Sequence, residues 1–385
     1  MALPLIAIRQ VVALTLLALA IPAANAASAP RPAPEVAATM AKLRVEEAPR
    51  PQRDNPRWQA PRKILLIATN LQLAAQADAF AAAALMARVV TARDRATAEA
   101  EAADADVIIG FNPEVCDGRI LGATKQLRWL ASLSAGIESC TGQPTVQAPG
   151  LLMTNMRGVD SAAIAEHAIA MVLAIAHGLD VFAANTAKGT WGQQNGGNLS
   201  MQMIEGKTLL VVGLGGIGTE VAWRGKALGM TVLATREGGS GKPDFVSYIG
   251  KPDELLALAK KADAIVSSVP LTPQTTGLYN EAFFAVLKPT AIFVNVARGG
   301  SGVTADLVKA LSEHRLAGAG LDVVDPEPLP PDHPLWKAPR VLISPHTSAR
   351  SDLPGDARWT LALENLRRYV AGDRMLLVVD PKRGY

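Results

Sequence analysis

Three side chains in the C-terminal third of the chain could together act on a small organic acid. Arg298 follows the apolar run AIFVNVA (291–297), Glu327 lies within GLDVVDPEP (320–328), and His346 follows VLISP (341–345). An arginine offers a bidentate fork to a carboxylate. A histidine titrates near neutrality and suits proton transfer to a carbonyl oxygen that receives a hydride. A carboxylate behind the imidazole orients it and stabilises its charged form. The set fits chemistry on a 2-keto acid. Taken singly, each residue has a plainer reading: Arg298 as a loop salt bridge, Glu327 as a solvated residue between prolines, a lone histidine as structural. The other histidines read as structural. His314 sits at a helix end, His333 in a Pro-rich loop, and His167 and His177 on the apolar stretch 161–178, where a core or interface role is expected.

A second chemical signal is GLGGIG (213–218). Gly213 would allow a tight turn, Gly215 a close approach of backbone to a pyrophosphate, and Gly218 close packing of helix on strand. The stretch follows the apolar run TLLVVG and opens a helix, whose N-terminal N–H groups favour phosphate. The next strand ends at Thr235, followed by Arg236 and Glu237. An acid at that strand end would bind a ribose 2′-hydroxyl. Thr235 and Arg236 would instead suit a 2′-phosphate, which predicts NADP(H) over NAD, with Glu237 as the counter-argument.

These residues need strands to hold them. Apolar runs at 63–69, 106–110, 127–133 and 151–155 read as strands, and the Ala-rich stretch 72–90 as helix. A second series places strands at 208–213, 230–235, 263–270, 291–297, 316–324 and 341–345. Helices alternate with them at 216–229, 252–262 and 303–313, and a final helix covers 355–371. Such alternation implies parallel sheets with right-handed crossovers, hence two doubly wound α/β domains. The helix 161–178 is apolar nearly all round and should be buried between layers.

The chain has 385 residues, 49% hydrophobic and 19% charged, enough for two domains with substantial cores. A formal net charge of +3 and the lack of a dense Lys/Arg run argue against nucleic acid as a partner. Cys116 and Cys140 are too far apart for a metal-type CxxC; they read as core thiols that could pair only if the fold brings them together. No metal ligands are assigned. Arg9, the apolar run 11–21 and Ala24-Asn25-Ala26 read as a signal peptide over 1–26, with a start at Met40 as the alternative. A used signal would place the protein outside the cytoplasm. Residues 27–62, rich in Pro, Ala and Arg, read as a linker.

With these stretches in order, the sequence resembles the D-isomer-specific 2-hydroxyacid dehydrogenase family over about 63–380. The resemblance is carried by GLGGIG, SSVPLTPQTTGLYN (267–280), NVARGG (295–300), AGLDVVDPEPLPPDHPLW (319–336) and SPHTS (344–348). It implies that His346 is the acid/base, Glu327 its partner and Arg298 the residue that binds and activates substrate, with Asp322 tuning the site. It implies that backbone N–H groups around Ala135 and Gly136, in LSAGIES (133–139), hold the substrate carboxylate. Pro270 and Leu271 would flank the adenine, and Gly216, Ile217, Val269, Ala297 and Asp322 complete the cofactor set. Glu327 argues against a formate-oxidising member, which would carry Gln there.

The resemblance further implies a discontinuous substrate-binding domain, 63–158 plus 347–385, a dinucleotide-binding domain at 159–346, a site in the cleft between them, and a homodimer. The expected activity is reduction of a small 2-keto acid of the glyoxylate or hydroxypyruvate type, with NADPH preferred and NAD possible. The alternative is a catalytically weak NAD(P)H-binding sensor of the same fold. Departures from the family pattern are GGSGVTAD after Arg298, His177 in place of the usual Arg, Arg236 in place of the usual acid, and the N-terminal signal.

Overall fold

The structure is a computed structural model that describes residues 32–191, 201–239, 241–352 and 354–381; the expected signal peptide lies outside them. Two all-parallel sheets organise it. The first runs β2-β1-β3-β4-β5, from β1 (Lys63–Ile67), β2 (Arg88–Ala92), β3 (Val107–Gly110), β4 (Trp129–Ser132) and β5 (Leu152–Thr154). The second runs β12-β11-β10-β9-β6-β7-β8, from β6 (Thr208–Val212), β7 (Thr231–Thr235), β8 (Tyr248–Gly250), β9 (Ala264–Ser267), β10 (Ile292–Asn295), β11 (Gly318–Leu321) and β12 (Val341–Ile343). Both are doubly wound, and the second reverses direction between β6 and β9, the switch point at which such sheets leave a crevice.

Central strands such as Ile64–Ile67 and Leu209–Val212 are buried throughout, as parallel strands covered on both faces must be. The helix Ser161–Ala176 packs over β10 and β11 and against the helix Gly216–Ala227. Its close seat on β11 requires Gly320, where a Cβ would fall 2.8 Å from the Met171 side chain. In place of an arginine at 177, Arg340 caps this helix end, donating to the Ile175 carbonyl (2.6 Å) and to Asp180 (2.6 and 3.0 Å).

Three expectations are corrected. The Ala-rich stretch 72–90 is not one helix: it forms Leu71–Ala74 and Ala77–Ala83, then the edge strand β2. Alanine favours helix without specifying its length, and RVVTA is β-branched and pairs with β1. Residues 34–59 are not a tether. Pro34–Leu43 is a helix against the C-terminal helix Pro354–Ala371, Glu47 bridges Leu376, and the Trp58 indole N–H donates to the Tyr369 carbonyl (3.0 Å). Finally, Cys116 and Cys140 are not free thiols; they form a disulfide, because the 3-10 turn Glu114–Cys116 after β3 lies beside the short helix Glu138–Thr141 after β4.

Candidate active site

All strands of a parallel sheet end on the same side, so the reactive residues of neighbouring strands converge. β10, β11 and β12 are adjacent and in register, Asn295 opposite Leu321 and Leu321 opposite Ile343. Arg298 lies three residues past β10, Glu327 six past β11 and His346 three past β12. The structure pairs two of them: His346 Nδ1 is 2.9 Å from Glu327 Oε2. Glu327 Oε1 in turn accepts from the Val324 N–H (3.0 Å), which fixes the carboxylate. Both side chains are partly exposed, open to a cleft rather than spent in the core.

His346 adopts φ +52°, an uncommon backbone for a residue with a side chain. Its N–H donates to the carbonyls of Asp322 (2.8 Å) and Ser344 (3.0 Å). Asp322 is the anchor of this loop. It is 1% exposed, and its carboxylate accepts from the Ser344 hydroxyl (2.6 Å), the Thr347 N–H (2.9 Å) and the Ser348 N–H (3.1 and 3.2 Å). Burial acts to raise its carboxyl, but these donors outweigh burial and hold it below the usual aspartate range. The expectation that Asp322 contacts the cofactor is corrected accordingly: its oxygens are turned into the protein, toward the loop that carries His346. His167, read as structural, reaches the same cluster, with Nε2 2.8 Å from the Ser344 hydroxyl.

Arg298 is fixed by its neighbours. Asn295 accepts from the Ala297 N–H (3.0 Å) and donates to the Arg298 carbonyl (3.0 Å), and Arg298 Nη1 donates to the Ala297 carbonyl (2.7 Å). The GGSG stretch that follows forms one 3-10 turn, Gly299–Ser301, and the next helix begins at Thr304. Across the cleft the LSAGIES loop faces Arg298. A Cβ on Gly136 would overlap the guanidinium, so a side chain there would displace Arg298 from this position. Asn155 donates to the Ala135 carbonyl and Asn112 to the Gly136 carbonyl (2.6 Å). The N–H groups of Ala135 and Gly136 have no partner among the described residues, as an anion-binding loop requires. Sequence reasoning missed Glu138, which pairs with Arg298 at 3.1 Å; its one signal was its place beside the quoted loop.

The glycine turn lies at the switch point. Gly213 has φ +94° and a Cβ there would lie 2.9 Å from Val269 Cγ1, while the Ser268 hydroxyl donates to the Gly213 carbonyl (2.7 Å). Gly218 packs directly on the same carbonyl. Gly215 differs: a side chain added there would meet open space, a cradle that the missing Cβ leaves for a ligand. The helix Gly216–Ala227 starts at this point with no side-chain cap, so the N–H groups of Gly216 and Ile217 remain for an anion. A dinucleotide pyrophosphate fits this cradle. Val269, two residues past β9 and followed by Pro270, borders Gly213, and Ala297, two residues past β10, is buried.

At the end of β7, Thr235 is 4% exposed and its carbonyl accepts from Gly213 and Leu214. The burial of Thr235 corrects the expectation that its side chain meets a 2′-phosphate, and the Arg236 guanidinium donates to the carbonyls of Gly241 (2.7 Å) and Gly239 (3.3 Å). Among the described residues no cluster of three or more His, Cys, Asp or Glu could hold a metal, and no single helix is long and apolar enough to cross a membrane. A cavity of about 520 Å³ lies at the opposite end of the first sheet, lined by Arg57, Trp58 and Arg128, away from these residues.

A pyrophosphate cradle beside a histidine–carboxylate pair and an anion-receiving loop defines a dinucleotide-dependent oxidoreductase of small acids. Comparison with known proteins agrees. The family described as "D-isomer specific 2-hydroxyacid dehydrogenase, NAD binding domain" matches residues 169–348. A glyoxylate reductase of Aeropyrum pernix is 32% identical over 277 residues, 71% of this chain and 82% of that one. Among solved structures, a D-isomer specific 2-hydroxyacid dehydrogenase family protein from Aeromonas salmonicida is 28% identical with a TM-score of 0.70, covering 83% of this chain and 99% of that one. An NADPH-dependent glyoxylate/hydroxypyruvate reductase from Sinorhizobium meliloti, in complex with NADP and malonate, is 25% identical with a TM-score of 0.69, covering 85% of this chain and 98% of that one. The chain belongs to the D-isomer specific 2-hydroxyacid dehydrogenase family and is an NAD(P)-dependent oxidoreductase.

Proposed function

We propose that this enzyme reduces a small 2-keto acid, of the glyoxylate or hydroxypyruvate type, to the D-2-hydroxy acid, with NADPH preferred over NADH. The observation that carries the reading is the 2.9 Å contact between His346 and Glu327 beside the Arg298 loop. When bound, the reduced nicotinamide supplies the hydride. Arg298 and the Ala135 and Gly136 N–H groups receive the substrate carboxylate, which sets the orientation of the carbonyl. His346 delivers a proton from Nε2 to the carbonyl oxygen, and Glu327 holds the ring through Nδ1 and balances its charge. Arg236 at the end of β7 supports the NADPH preference, since a cation there would pair with a 2′-phosphate.

The division into a substrate-binding unit, 63–158 plus 347–385, and a cofactor unit, 159–346, belongs to the same reading. A homodimer is supported by the exposed apolar side chains Leu179, Trp191, Met201 and Met203 along the segment after the helix Ser161–Ala176. Export is supported by the Cys116–Cys140 disulfide, because such bonds persist in oxidising compartments. The test is oxidation of NADPH and NADH in the presence of a panel of 2-keto acids. Turnover of glyoxylate or hydroxypyruvate with higher kcat/KM for NADPH is expected. Tight NADPH binding without turnover would favour a sensor instead, and a clear NADH preference would overturn the cofactor assignment.

A further inference from the structure

Arg298 is proposed to receive the substrate carboxylate, yet its guanidinium is already engaged across the cleft. Glu138 opens the short helix Glu138–Thr141 on the first layer, and its carboxylate meets Arg298 at two points, Nε to Oε1 at 3.1 Å and Nη2 to Oε2 at 3.3 Å. A guanidinium has five N–H donors. One, from Nη2, goes to Glu138 and one, from Nη1, to the Ala297 carbonyl, while Nε lies 3.1 Å from Glu138 Oε1 as an ion-pair contact. One donor each on Nη1 and Nη2 is left for a ligand. The Glu138 helix cannot drift away from this contact. Cys140, two residues on, is bonded to Cys116, and the Thr141 hydroxyl donates to the Glu138 carbonyl (2.9 Å). Both partners are part-exposed, at 31% each, so the pair lines the cleft rather than the core.

Two consequences follow from charge and geometry. One hydrogen bond and one ion-pair contact hold the guanidinium against Glu138, so the remaining Nη donors and the free N–H groups of Ala135 and Gly136 can hold a single carboxylate. The Glu138 charge also cancels most of the field of Arg298, so a second anionic group on the substrate would meet a carboxylate with no cation left for it. We infer that Glu138 is a positioning and specificity-determining residue that restricts the enzyme to 2-keto acids with one carboxylate and an uncharged tail. The inference rests on the reading that Arg298 receives the substrate carboxylate.

The test uses the full-length protein and an isosteric pair, oxaloacetate and its 4-amide 2-oxosuccinamate, which differ in the charge of the tail. The wild type should prefer the amide. E138Q should lower that preference in kcat/KM by about tenfold, which corresponds to ~1.4 kcal/mol. E138D, which keeps the charge, should retain the preference. E138S is a second charge-free variant, so the result does not depend on one substitution folding. An unchanged preference in both charge-free variants overturns the inference. If the wild type turns over no 2-keto acid, the proposed function fails, and the inference is read by titrating succinate and succinamate into the NADPH complex by nucleotide fluorescence. Tighter succinate binding relative to succinamate in E138Q supports it, and an unchanged ratio overturns it.

Discussion

His346 meets Glu327 through Nδ1, which leaves Nε2 as the ring nitrogen that can face a substrate. Replacing His346 by Ala should therefore lower kcat by about 10²–10⁴-fold, the usual contribution of a positioned acid/base, while the Kd for NADPH, measured by fluorescence, stays within a few-fold. E327Q keeps the size of the partner but removes its charge, so kcat should fall and the pH profile of kcat/KM should shift, which a purely structural role would not produce. If H346A retained most of its kcat, the assignment would be wrong. These residues were legible in the sequence because strand ends in a parallel sheet share one side, and each followed an apolar run. Glu138 was not, since its partner lies 160 positions away on the other layer and no local pattern marks the encounter. The burial of Thr235 and the inward turn of Asp322 were equally hidden, because side-chain direction depends on what packs around a strand end.

At the scale of elements, the glycine turn separates two kinds of glycine. Gly213 and Gly218 are required by protein neighbours, whereas the space beside Gly215 is open. G215V should fold with an unchanged melting temperature and bind NADPH at least about tenfold more weakly, because a side chain would fill the cradle where the backbone must approach phosphate. Normal NADPH affinity in that variant would remove the pyrophosphate from this turn. The loop 344–348 depends on Asp322. Its folded carboxyl is depressed relative to the unfolded chain, so its stabilisation is complete above the ordinary aspartate range and is lost as pH falls through the lowered folded value. D322N should cost about 1–3 kcal/mol at neutral pH, from donors left poorly matched. The gap to wild type in urea midpoints should shrink in acid. The strands of the second sheet were readable as apolar runs between helices. β2 was not, because alanine before it carries helical propensity and its own exposure makes it a weak apolar signal.

For the whole molecule, the disulfide and the N-terminal wrap were the least legible features. Pairing of Cys116 with Cys140 is a tertiary fact, and residues 34–59 bury few large side chains and show no period that would announce them. C116S/C140S should lower stability by about 2–4 kcal/mol, as expected for a crosslink closing a loop of moderate length. Reduction of the wild type should give the same shift in chemical denaturation, and a shift in the double variant alone would show that the serines, not the lost bond, are responsible. The layers are also tied at their junction: Arg358 of the C-terminal helix holds the buried Asp160 at 2.9 and 2.7 Å, just before the helix Ser161–Ala176.

The wrap has a consequence for the order in which the molecule can be built. The first sheet is complete in sequence by Thr154, but its hydrophobic layer includes Leu361, Leu366, Tyr369 and Leu376, and the N-terminal helix docks on those late residues. A chain delivered from its N-terminus, by a ribosome or through a membrane channel, emits the entire second layer before the first can close. The nucleotide-binding layer is therefore free to fold first. The first layer waits with an apolar face uncovered until the last stretch emerges, which makes it the part of this enzyme most dependent on protection from aggregation during synthesis.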